Sequence, residues 1–230
     1  MHCIGQHGLL LVGKYDGRAH IIVKLRDAQF NLVIEDNEYS NNLSRMFKLV
    51  PPEEPVPMPD KDIFTIRSLT ADNLTYTMRN YIAPITGLPE SAINWSNMGV
   101  DRIKLRAHNF RISHRHFYAT VEHMSFHERT GWDVKELTAD VAVGEGLADI
   151  RNIHLYDGRT DAYLDYSMTA PVTDYADYVN KVVMKADIRS SRWSLDALAH
   201  FIPPLNPDST TFVHLKGKMH GPVADLCGDN

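Results

Sequence analysis

The chain has 230 residues, 43% of them hydrophobic and 23% charged, with a formal net charge of −5. That is an ordinary globular composition, which excludes wholesale disorder, collagen and a disulfide-stapled miniprotein. There is no basic excess to grip phosphate backbones, so nucleic acid is excluded as the main partner.

The N-terminus reads MHCIGQHGLLLVG. It has no basic n-region, and the apolar run from Leu9 to Val12 is too short for the core of a signal peptide. No stretch approaches the ~18–20 apolar residues of a membrane span. Taken literally, the chain reads as soluble and cytoplasmic. A second reading is that it is an internal piece of a longer protein. The two cysteines, Cys3 and Cys227, stand near opposite ends without metal-ligand spacing.

From there the dominant signal is alternation with period two, the mark of strands with one buried face. Ile21, Val23 and Leu25 alternate with polar or outward residues, and so do Phe30, Leu32 and Ile34. Leu74, Tyr76 and Met78 follow, then Ile103, Leu105 and Ala107. The pattern continues through Leu137, Ala139, Val141 and Val143, then Leu164, Tyr166 and Met168. Val182, Met184, Ala186 and Ile188 extend it, and Val213, Leu215 and Met219 close it. The spacing is that of a meandering antiparallel sheet. Several runs break at small polar residues, as in IRSLTADNLTYTM, IKLRAHNFRI, VKELTADVAV and IRNIHLYD. Asn and Asp there favour tight turns or bulges.

Three stretches interrupt the strands. Leu43, Met46, Phe47 and Leu49 stand at helical spacing, ahead of a proline-rich loop at 50–60. Tyr175, Tyr178, Val179 and Val182 share one helical face. Ser191 or Ser194 can cap a helix carrying Leu195, Leu198, Ala199 and Ile202, ended by Pro203 and Pro204.

Chemistry-bearing patterns are thin. Among twelve histidines, His114, His116 and His123 form the one candidate metal cluster. Their neighbours Tyr118, Glu122, Glu128 and Arg129 are those of a wet strand face, so solvated histidines are the simpler reading. No G-x-S-x-G nucleophile elbow exists. Gly144 and Gly146, and the segment GKMHG, lack the context of a phosphate cradle and read as turns. No enzyme and no cofactor are expected. Arg102, Lys104, Arg106 and Arg111 make one face basic, which reads as solvated surface with anionic head groups as the functional alternative. The apolar faces must be buried somehow. A closed sandwich and a sheet curled around a greasy ligand are both solutions.

The run INWSNMGVDRIKLRAHNFRI, followed by HFYATVEHMSFHERTGWDVKELTADVAV, resembles the AsmA-like, TamB-type translocation-and-assembly-module proteins of double-membrane bacteria. The likeness continues through IRNIHLYDGRTDAYLDYSM, DYADYVNKVVMKADI, SLDALAHFIPPL and HLKGKMHGPVADL. It covers residues 14–226, leaving 1–13 and the tail 227–230 outside. The resemblance implies an elongated, curled, mainly antiparallel β-sheet forming a hydrophobic groove, with two or three short helices. It implies a segment of a periplasm-spanning protein, anchored in the inner membrane as the full-length parent. The implied role is phospholipid transport toward the outer membrane, outer-membrane protein assembly, or both. The implied partners are phospholipid and an outer-membrane assembly protein.

Alternation and resemblance together nominate a groove lining. It comprises Leu32, Ile34, Leu74, Tyr76, Met78, Ile103, Leu105, Val121, Leu137, Ala139, Val141, Leu164, Tyr166, Val182, Met184 and Leu215. The alternative function is a closed β-sandwich binding module for a protein or glycan partner.

Overall fold

Alternating side chains make strands, and here the strands join into one open, curled sheet. The computed structural model describes residues 10–15, 19–35, 62–82, 84–113, 116–144, 146–170, 178–202, 205–206, 208 and 210–229. The strands are β1 (Leu10–Tyr15), β2 (Ala19–Arg26), β3 (Gln29–Ile34), β4 (Asp62–Asn80), β5 (Asn97–Ser113) and β6 (His116–Glu128). They continue as β7 (Asp133–Gly144), β8 (Leu147–Tyr156), β9 (Asp161–Thr169), β10 (Val183–Ser194), β11 (Phe212–Gly221) and β12 (Cys227–Asp229). Among the described residues two short α-helices intervene, α1 (Tyr178–Lys181) and α2 (Leu195–Phe201), with one 3₁₀ turn at Val223–Asp225. The order is β1-β2-β4-β5-β6-β7-β8-β9-β10-β11-β12, with β3 also on β4. The two ends of this path do not pair, so the sheet is neither a barrel nor a closed sandwich.

From β4 to β12 every pairing is antiparallel, as the alternation predicts. The start of the chain departs from a simple meander. β2 and β3 both run parallel to β4, one against its first half and one against its second. They act as one bent strand, broken at Asp27 and Ala28. There the Asp27 amide donates to the Asp72 carbonyl (3.0 Å), and the Thr75 amide donates to the Ala28 carbonyl (2.9 Å). A parallel partner needs a long return connection, and the chain between Ile34 and Asp62 supplies it. β1, which alternation alone did not reveal, pairs antiparallel with β2.

The sheet is crossed by a line of bulges. Register slips between Ala71 and Leu74 on β4, and between Arg106 and Ala107 on β5. It slips again between Val121 and Met124, between Thr138 and Asp140, and between Ile150 and Ile153. On β10 the slip falls after Ile188 against both neighbours. Each slip lies beside the next, so their local bends add into a curl. Asp27, Asn73, Arg102, Asn109 and Asn152 all take positive φ, between 51° and 58°. Four of the five are Asn or Asp, the non-glycine residues that tolerate that region best.

Side chains replace the ladder bonds lost at the bulges. Asn152 donates its amide to Asp165 Oδ1 (2.7 Å) and its Nδ2 to Asp140 Oδ2 (2.8 Å), tying three strands. Asn73 Nδ2 donates to Asp27 Oδ1 (2.6 Å). Ser191 Oγ accepts the Tyr163 amide (2.9 Å) where β10 bulges. Gly144 ends β7 and Gly146 lies in a turn, with φ +67°, and a Cβ there would stand 2.3 Å from the Ala170 carbonyl oxygen. The GKMHG segment is not a turn; it is the second half of β11.

Ser194, not Ser191, caps α2, accepting the Ala197 amide (3.2 Å). The buried face of α2 is Ala197 and Ala199, while Ile202 is 45% exposed. The helical reading at 43–49, the proline-rich loop, and Pro203 and Pro204 lie outside the described residues; of the 175–182 stretch, 175–177 lie outside them and Tyr178–Lys181 form α1.

The bulge geometry makes a test. Asn152→Ala removes the Nδ2 bond to Asp140, keeps the backbone amide bond to Asp165, and leaves a Cβ-bearing residue without local compensation at positive φ, and it loses about 1–2 kcal/mol in denaturant unfolding. Asn152→Gly, which adopts that φ freely, retains more stability than the alanine variant despite losing the same side chain. Equal losses in the two variants would remove backbone strain from the account.

Candidate apolar groove

Residues paired across antiparallel strands share a face, so the register assembles the apolar side chains into rows. One row runs Ala71, Leu105, Met124, Leu137, Leu155, Ala162 over six strands. Beside it lie Leu69, Ala107, Val121 and Ala139, then Ile153, Leu164 and Ile188. A further row runs Ala119, Val141, Ile150, Tyr166, Ala186, Met219. The last runs Ile112, Phe117, Val143, Ala148, Met168, Met184. Alanine recurs in every row that crosses the middle strands, which keeps the floor of the curled surface low.

Most of the nominated residues fall on this face. Leu105, Val121, Leu137, Ala139, Val141, Leu164, Tyr166 and Met184 stand in the rows. Leu74 lies opposite Ile103, Tyr76 opposite Val100, and Met78 opposite Met98. Leu32 and Ile34 sit at the parallel edge, opposite Met78 and Asn80. Leu215 lies opposite Ser191. Val182 is a correction: it precedes β10, between α1 and the first strand residue, and is fully buried there.

Sequence reasoning passed over Met124, Leu155, Ile150 and Ile153. For three of them the reason is the bulge line. Val121 and Met124 are three residues apart yet share a face, as do Ile150 and Ile153, because a bulge inserts one residue between them. Strict period two puts one member of each pair on the wrong side.

One end of the face is covered. Ile93, Trp132, Val134, Leu155, Ala162, Trp193 and Ala197 form a buried cluster, with Leu137, Leu164 and Leu215 packed against it. These three nominated residues therefore serve the capped end. Polar groups lock the cap. Trp132 Nε1 donates to Asp157 Oδ2 (3.1 Å), and Arg159 pairs with Asp196 (3.1 Å). Glu128, 2% exposed, accepts the Thr130 amide (2.7 Å) and hydroxyl (2.5 Å). His200 Nδ1 donates to the Ser91 carbonyl (2.6 Å), joining α2 to the loop before β5. A cleft of about 360 Å³ lies here, lined by Trp132, Asp133, Asp157, Arg159, Asp196 and His200 among others. Its functional groups are consumed in mutual bonds: the Thr130 hydroxyl proton goes to a carboxylate, so His200 has no nucleophile to activate.

Away from the cap, Leu105, Val121, Val141, Ile150, Tyr166 and Met184 are half-buried, and Val143 and Met219 are exposed. Among the described residues no second sheet covers them. The arrangement can shelter an elongated apolar ligand along its floor, with polar groups left at the rim.

The candidate histidines do not meet. His116 and His123 lie on one strand seven residues apart, roughly 20 Å along it and too far to share an ion. His114 lies outside the described residues, and no group of three ligand-type side chains suited to a metal exists among those described. The basic face of β5 is neutralised in part, at Arg102 and Arg111 but not at Lys104 and Arg106 among the described residues. Arg102 bonds Asp101 and Asp133 (3.1 and 3.2 Å); Arg111 pairs with Asp62 (3.4 Å) and lies over the Tyr118 ring. No helix among the described residues is long and apolar enough to cross a membrane.

Comparisons with known protein families, curated proteins and solved structures gave no significant match to this chain.

Tyr76 reports on the groove. Burial raises its phenol above the ordinary 10.0, because the charged form is disfavoured away from water. The native state therefore holds that proton more tightly than the unfolded chain. The stability it contributes is present below pH 10 and is lost as pH rises through the raised value. A difference ultraviolet titration of wild type against Tyr76→Phe should show the missing phenol ionising later than a free tyrosine. An ordinary titration would place Tyr76 in water.

Proposed function

We propose that this chain is a segment of a lipid conduit of the AsmA-like, TamB-type kind, holding phospholipid acyl chains against the apolar face of the curled sheet. The observation that carries this reading is the continuity of that face. Rows of apolar side chains cross the strands, and the middle of the face has no second layer among the described residues.

Burial of acyl chains supplies about 0.8 kcal/mol per CH₂. Ten methylenes thus contribute about 8 kcal/mol, within the roughly 4–15 kcal/mol that association costs; two chains exceed most of that range. Head groups remain in water at the rim. Sliding along such a surface keeps the apolar contact nearly constant, so a continuous groove lets lipid move without a large barrier. No catalytic step and no cofactor enter this function. A periplasm-spanning parent anchored in the inner membrane, serving phospholipid transport or outer-membrane protein assembly, is the setting in which such a segment works.

Native mass spectrometry of the purified chain, with organic extraction and lipid analysis, tests the proposal. Near-stoichiometric phospholipid is expected, falling at least five-fold in a Leu105→Gln, Val141→Gln variant whose melting transition persists. A stably folded, lipid-free wild type would sink the conduit. Retention of lipid by the folded double variant would move the binding surface elsewhere.

A further inference from the structure

The outer, polar face of the sheet changes character at its C-terminal margin. On β5 to β9 carboxylates are interspersed with the cations and several pair, His108 with Glu122, His127 with Asp133, His154 with Glu136 and Asp161, Arg151 with Asp149, while Lys104, Arg106 and Lys135 have no ion pair among the described residues. β10 and β11 together carry Lys185, Arg189, Arg192, Lys216 and Lys218 against one carboxylate, Asp187. This excess stands in a chain whose net charge is −5. Asp187 is taken by Lys218 (3.4 Å), and Arg189 reaches Asp165 at 3.8 Å. Lys185, Arg192 and Lys216 have no ion-pair partner among the described residues.

Register sets the side chains of the two strands beside one another. Lys185 lies opposite His220, Asp187 opposite Lys218, and Arg192 opposite His214. On β11, His214, Lys216, Lys218 and His220 occupy every second position and are all exposed. Two exposed apolar side chains share this face, Val183 (38%) and Phe212 (40%), the latter lying under the guanidinium groups of Arg159 and Arg192. A shallow hollow of about 430 Å³ opens here, with Arg151, Lys185, Lys218 and His220 in its lining beside the paired carboxylates Asp165 and Asp187. β11 pairs with β12 only at Lys218–His220, so from Phe212 to Gly217 no strand lies beyond it among the described residues. The patch therefore reaches the margin of the sheet, where a flat surface can meet it.

We infer that the outer face of β10 and β11 docks on an anionic phospholipid bilayer, its lysines and arginines meeting lipid phosphates while Phe212 and Val183 enter the interface. Charge complementarity carries this: a cationic surface with interspersed apolar side chains matches an anionic bilayer, which accepts both. A long polyanion such as nucleic acid would also meet the repulsion of the acidic remainder of the chain. The docking face is opposite the groove face and does not require the groove to be filled.

The test is co-sedimentation of the purified chain with phosphatidylcholine vesicles, with and without phosphatidylglycerol. Wild type should bind the anionic vesicles alone and be released as salt rises. Each lost lysine should cost about five-fold in partitioning, so Lys185→Gln, Lys216→Gln and Lys218→Gln together cost about a hundred-fold. Arg102→Gln, Lys104→Gln and Arg106→Gln together should cost far less. Should the triple variant on β10 and β11 unfold, Lys216→Gln alone gives the five-fold loss. Equal binding to both vesicles, or undiminished binding by the folded variants, overturns the docking face. So does displacement by inorganic phosphate beyond that of matched chloride, which would make it a free-phosphate site. Tighter binding to a single-stranded oligonucleotide than to vesicles also overturns it. Lipid extracted from the same variants reads the groove separately: it stays unchanged if the groove reading holds, and its absence leaves the docking result standing.

Discussion

The curl of this sheet depends on its line of bulges. A regular antiparallel sheet of this width would be a twisted, open surface with its apolar face spread to water. Register slips on successive strands fall beside one another, and each adds a bend at the same place across the sheet. The line survives because the polar groups freed from the ladder find partners. Asn152, Asp140 and Asp165 link three strands, and Ser191 serves the backbone of Tyr163. These bonds stand in for the ladder bonds that the bulges remove, so these side chains are part of the bend.

The curl lets one apolar face do two jobs. At one end α2 and the loop before β5 cover it, and Trp132 is held by neighbouring rings as well as by Asp157. Two buried tryptophans, Trp132 and Trp193, lie at this end, and large aromatic side chains bring much packing surface. Further along, the same rows continue without a lid among the described residues, floored by Ala107, Ala119, Ala139 and Ala148. A capped core and an open lining are thus successive stretches of one surface. Stability can be supplied at the cap while the remainder stays accessible.

The polar face has its own division. Across β5 to β9, several histidines and arginines sit beside carboxylates, pairs that in water contribute roughly 0–1 kcal/mol each and neutralise the face in part. At β10 and β11 cations outnumber carboxylates and stand next to exposed Phe212 and Val183. Groove and basic margin lie on opposite faces of the same two strands, so a lipid-bearing surface and a membrane-facing surface are separated by one layer of backbone.

Much of the architecture was legible in the residues. Alternation in Leu137, Ala139 and Val141, or in Leu164, Tyr166 and Met168, announces strands because the side-chain period of two is local geometry. Asn73, Asn109 and Asn152 marked breaks because only a few residue types tolerate positive φ. Alternation could not say that Met124 joins Val121 on one face, since a bulge is a relation between two strands and appears in neither alone. Nor could it say that β2 and β3 would lie parallel to β4, that Val182 would fall outside the strand, or that Leu137, Leu164 and Leu215 would pack against the capped cluster while Leu105 and Val141 would not. Arg102 and Arg111 looked like a basic patch until Asp133 and Asp62 arrived from other strands, whereas Lys185 and Lys216, unremarkable in sequence, became one by falling on paired strands. The sequence by itself determined which residues are strand and which of their sides is apolar, because those follow from neighbours two positions away. Pairing, cover and net charge at a surface were decided only in the tertiary structure, because they depend on residues brought together from distant parts of the chain.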